Sequence, residues 1–135
     1  MKAQSSLEYM LLIGFVTLAI SIVLITAYFY INFSKDRIKE NQVENFSGKI
    51  ISSAESVFFS GEPSQTTITI YIPSGVEDIN FNAKELEITY ITSSGTNKVS
   101  FSSRVDLSGE INKLEGTKIL IIKALENEVL ITQKQ

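Results

Sequence analysis

The sequence predicts an α+β fold: one long N-terminal α-helix packed on a small, mostly antiparallel C-terminal β-sheet. The helix is expected to be apolar in its first half and amphipathic in its second. Three observations carry this. No charged residue falls between Tyr9 and Phe33. A helical apolar period follows that run. From about residue 66 the period becomes two.

Residues 9–33 read YMLLIGFVTLAISIVLITAYFYINF, 25 residues without a charge or a proline. As a helix this run is ~37 Å long, enough to cross a ~30 Å hydrocarbon core with some tilt. Residues 34–59 continue in helical period, with Val43, Phe46, Ile50, Ala54 and Val57 on one stripe. Lys39, Glu40, Glu44, Lys49 and Glu55 are distributed over the other faces. One helix over 4–59 is therefore expected. Gly48 is its weak point, and a break there or near Ser34 is the alternative. Gly61 and Pro63 in SGEPSQ end the helix.

Residues 60–135 read as a β-rich domain of four to six strands. Ile68, Ile70 and Ile72 alternate with Thr67, Thr69 and Tyr71; Leu86, Ile88 and Tyr90 alternate with Glu85, Glu87 and Thr89. SSGTN at 93–97 is turn chemistry, and Val99, Phe101 and Val105 resume the pattern. TKILIIKALENEVLIT reads as two strands about a tight Glu126–Asn127 turn. Residues 119–122 are apolar at every position, which predicts a central strand covered on both faces. A core of ~75 residues without disulfides is small, so it is expected to lean on the helix or on neighbouring subunits.

Composition removes several functional classes. There is no Cys and no His, so disulfides, thiolate zinc sites, thiol nucleophiles and Ser-His-Asp triads are excluded. The net charge of −3 argues against a nucleic-acid surface. No phosphate-binding glycine loop or G-x-S-x-G motif occurs. The chain is expected not to be an enzyme and to need no cofactor. Glu77, Asp78, Glu85 and Glu87 lack the spacing of a calcium loop and read as solvated strand and loop ends.

The opening stretch KAQSSLEYMLLIG places Glu8 directly against the apolar run, where a carboxylate is costly unless paired. Gln4, Ser6, Glu8 and Leu12 fall in the pattern Gln-x-Ser-x-Glu-x-x-x-Leu. This resembles the class III signal peptide of archaeal type IV pilin-like proteins, and the apolar helix followed by a β-rich half fits that family. The resemblance implies that a prepilin peptidase cuts between Ala3 and Gln4, removing residues 1–3 and keeping the helix. It further implies a membrane-resident precursor, then assembly by a cytoplasmic ATPase and a membrane platform protein into a helical homopolymer. In that filament apolar helices form the core and β-rich domains the surface.

Glu8 would then meet the new α-amino group of a neighbouring subunit and set the assembly register. Its plain structural role would be to complement the dipole at a helix N-terminus. Cyclisation of an N-terminal Gln4 to pyroglutamate would remove the positive partner. Gly14, with Thr17, Ser21 and Thr26, would allow close helix approach during assembly.

Asn32 and Asn45 each begin an N-x-Ser sequon and are possible glycosylation sites. Lys35, Arg37 and Lys39 follow the apolar run, a distribution that by the positive-inside rule places the β-rich domain in the cytoplasm. The pilin leader implies the opposite, an extracellular surface filament serving adhesion. Within the family, a minor subunit that primes or caps a filament or a secretion-like machine is the alternative. Outside it, a monomeric membrane-anchored binding protein is.

Overall fold

The computed structural model describes the backbone of residues 2–134 and the side chains of residues 6–134. Helix α1, Lys2–Phe59, is followed by seven strands: β1 (Gln65–Ile72), β2 (Val76–Asn82), β3 (Glu85–Thr92), β4 (Gly95–Ser102), β5 (Asp106–Glu110), β6 (Gly116–Ala124) and β7 (Glu128–Gln133). The chain forms two compact units, Met1–Lys35 and Asp36–Gln135. The long helix followed by β-sheets is the α+β arrangement expected, and it is pilin-like in architecture.

The helix is unbroken through both Ser34 and Gly48. It stops where the sequence says it should. Gly61 takes a φ of +79° and its N–H donates to Phe58 O at 3.0 Å, a left-handed residue closing the last turn.

In the second unit the helical stripe is buried: Val43, Phe46, Ile50, Ala54 and Val57 share one core with both sheets. Ser47 lies on the same stripe, fully buried, and donates its hydroxyl to Val43 O at 2.6 Å, so no polar group is orphaned there. The strands form two sheets rather than one. β1-β6-β7-β5 is antiparallel except where β5 runs parallel to β7, and β2-β3-β4 is an antiparallel meander. Ile68, Ile70 and Ile72 of β1 and Leu86, Ile88 and Tyr90 of β3 point inward, as their alternation predicted.

Two expectations are corrected. Among the described residues there are seven strands, not four to six, and β2 and β5 are the ones that escaped the sequence pattern. A bulge between Val76 and Asp78 breaks the period of two in β2, while β5 has only five residues and contains Gly109. β6 is central in its sheet, between β1 and β7, but its outer face is not fully covered: Ile119 remains 42% exposed.

Charged helix residues bind the sheets through backbone groups. Asp36 accepts hydrogen bonds from Ser93 N–H at 3.1–3.2 Å and from the Ser93 hydroxyl, at the β3–β4 turn. Lys39 Nζ donates to Ile91 O at 2.6 Å and Lys49 Nζ to Thr69 O at 2.8 Å; Glu55 accepts from Arg104 N–H at 3.0 Å. The Ser93 hydroxyl lowers the Asp36 pKa, with its N–H and the Lys39 ammonium acting the same way against the opposing effect of desolvation.

Two tests follow from this packing. Gly48 is exposed with open space around it, whereas a Cβ on Gly109 (φ +135°) would lie 2.0 Å from Ile131 O. Gly48→Ala is expected to stabilise by about 1 kcal/mol and Gly109→Ala to destabilise by about 2–3 kcal/mol, read as opposite shifts in thermal midpoint.

Because the folded pKa of Asp36 is depressed, its contribution is complete above the unfolded carboxylate pKa. It is lost as pH falls from about 4 through the lower folded value. Asp36→Asn is expected to flatten that acid limb of the stability profile and to speed exchange of the Ser93 amide at neutral pH.

Candidate functional site

The first unit is a helix whose side chains its own chain leaves uncovered. No described side chain from 6 to 33 is buried: Leu12 is 62% exposed, Phe15 74%, Leu18 57% and Leu24 65%. Each large apolar side chain removed from water is worth about 1.5–3 kcal/mol. Summed along the segment, the drive to leave water is on the order of tens of kcal/mol. By length and composition the helix is able to cross a membrane, and that is the environment its surface fits.

The polar atoms of this segment are arranged for the same surroundings. Thr17 Oγ1 donates to Ile13 O at 2.8 Å and Ser21 Oγ to Thr17 O at 2.8 Å. Thr26 Oγ1 donates to Ile22 O at 3.0 Å and Val23 O at 2.9 Å. These hydroxyls are satisfied one turn back on their own helix, so they need no partner from water, lipid or another helix. The sequence alone suggested them as small packing residues; their self-satisfaction adds a reason they are tolerated.

Of the sequence-predicted residues, Ala3 and Gln4 lie outside those whose side chains are described. Glu8 and Leu12 are one turn apart on one helical face, and both are exposed. Glu8 makes no hydrogen bond or ion pair among the described residues. Ser6 and Gly14 lie away from that face by helical geometry, and Gly14 has nothing near its missing Cβ.

Both sequons lie within α1. Asn32 is half-buried and Asn45 exposed. In the second sequon Ser47 is wholly buried with its hydroxyl bound to Val43 O, so only the asparagine of that motif faces solvent. Of the three cations that follow the apolar run, Lys39 is held by Ile91 O rather than presented to lipid headgroups. Nothing in the sequence distinguished Lys39 from its neighbours, because its partner lies 52 residues away.

Two of the acidic residues read as solvated strand and loop ends have partners on β4. Glu87 pairs with Lys98 at 2.9 Å, and Glu85 accepts from the Ser100 hydroxyl. No cluster able to hold a metal ion occurs among the described residues.

A charge at the centre of the apolar segment costs about 3 kcal/mol on insertion. Leu18→Arg is therefore expected to move a large share of the chain out of the carbonate-resistant membrane fraction. Thr26→Val, which removes only a self-satisfied hydroxyl, is expected to leave it in place.

Comparison of the chain with protein-family models, with curated proteins and with solved structures finds no match.

Proposed function

We propose that this chain is a structural pilin subunit of an archaeal type IV pilus-like filament. The observation that carries the reading is the apolar helical surface of residues 9–33, left without cover by its own chain, directly preceded by Gln4, Ser6 and Glu8, which with Leu12 inside the run complete the class III pattern. A helix of this kind has two uses for one surface. Lipid covers it before assembly, and the helices of other subunits cover it afterwards. The hydroxyls bound to their own backbone suit both environments.

In this reading a prepilin peptidase cuts before Gln4, and the precursor waits in the cell membrane. The assembly ATPase and platform protein then add it to a surface filament used for adhesion. Glu8 pairs with the α-amino group of a neighbouring subunit. A subunit docked out of register leaves both charges unpaired in apolar surroundings, a costly arrangement. The chain's role is structural, without catalysis.

The test is the N-terminal mass of the protein recovered from membranes and from sheared filaments, for the natural chain and for Glu8→Ala. A mature start at Gln4 in filaments, with Glu8→Ala depleted from them, is the expected result. An intact N-terminus found only in membranes overturns the reading and leaves an anchored monomer.

A further inference from the structure

The two sheets part company beside β2 and β5. Leu107 N–H donates to Ala83 O at 2.7 Å, joining the start of β5 to the β2–β3 turn. Beyond that joint a groove of about 960 Å³ lies between the strands, within the size range of small-ligand clefts. Its buried apolar lining comes from Ile79, Ile111 and Ile131, with Phe81 half-buried beside them. Its polar lining is made of amides and carboxylates: Asp78, Asn80, Glu110, Asn112 and Gln133.

Several of these groups are already oriented. Asn80 Nδ2 donates to Asp78 Oδ2 at 2.8 Å, which leaves Asp78 Oδ1 as an acceptor. Asn112 N–H donates to Gln133 Oε1 at 3.1 Å, and Leu114 N–H donates to Asn112 Oδ1 at 3.0 Å. With both amide oxygens engaged, Asn112 Nδ2 and Gln133 Nε2 remain as donors. The Glu110 carboxylate makes no hydrogen bond or ion pair among the described residues and adds a second acceptor.

We infer that this groove binds a neutral saccharide. Fixed donors and fixed acceptors in one cleft suit a ligand whose every polar group both donates and accepts, and vicinal hydroxyls do so. The half-buried Phe81 ring, with Ile79, Ile111 and Ile131 buried behind it, offers the apolar surface for the C–H face of a pyranose ring. Two carboxylates against one lining cation, Lys113, disfavour an anionic sugar.

An extended peptide fits less well. The Leu107 N–H at the β5 edge is already used, and Gly109, at φ +135°, departs from the regular strand conformation that a new ladder would need. The site belongs to the β-rich unit alone, so it does not depend on whether the chain polymerises. In a filament it would give the surface its adhesive specificity.

The test is saturation-transfer NMR on the full chain, purified in a detergent without a sugar headgroup. The probes are maltose, cellobiose, mannobiose and diacetylchitobiose, with an unstructured lysine-containing peptide as the competing class. Ring-proton saturation from at least one disaccharide is expected. Asp78→Asn and Gln133→Ala should each weaken it about tenfold, and Lys98→Ala, outside the groove, should leave it unchanged.

Circular dichroism of each variant separates loss of binding from loss of fold; should Asp78→Asn disturb β2, Gln133→Ala carries the test alone. Saturation from none of the four sugars, saturation indifferent to the groove substitutions, or saturation of the peptide alone overturns the inference. N-terminal processing is unaffected by any of these outcomes, so a failed saccharide site and a failed pilin assignment are told apart.

Discussion

Ile50 and Ala54, both completely buried, mark the contact on which the globular half depends. Two small sheets of four and three strands each have an apolar inner face, and the second half of α1 completes the core between them. Ala54 allows close approach, Phe46 and Ile50 fill space, and Ser47 returns its hydroxyl to the helix so that the stripe carries no unmet polar group. Without this third layer, domain material of this size would keep only a marginal core. The same helix is therefore an internal scaffold in one half and an uncovered apolar surface in the other.

That division explains which parts were legible in the sequence. The apolar run needs only length and the absence of charge, both one-dimensional properties, and residues 9–33 declare it. The stripe at Val43, Phe46, Ile50, Ala54 and Val57 and the alternation of β1 and β3 follow from local period alone. The strands that escaped broke that period. In β2 the bulge puts inward-facing Val76 and Ile79 three apart, and Asp78, Asn80 and Asn82 make the segment look like a loop. In β5 Gly109 does the same, although its missing Cβ is what leaves room for the Ile131 backbone of β7.

The polar contacts were less legible for a different reason. Asp36 meets Ser93, Lys39 meets Ile91 and Glu55 meets Arg104 across separations of 57, 52 and 49 residues. Nothing in the local pattern distinguishes these side chains from solvated charges such as Glu44. The groove between β2 and β5 is hidden in the same way, since its lining comes from segments near residues 80, 110 and 132 that only the split between the sheets brings together. The positive-inside count, by contrast, needs only the charge of Lys39, which its bond to Ile91 O leaves in place.

The lysine that reaches Thr69 O has a consequence for crowding. β1 is an edge strand, and an edge carbonyl left open is an invitation to pair with another chain. Lys49 occupies one such carbonyl with a charged group, and β4, one edge of the other sheet, carries the exposed Lys98. At high density, strand-to-strand aggregation between copies is thereby discouraged at these two of the four edge strands. Association is then left to surfaces that bind by shape and apolar cover rather than by backbone templating.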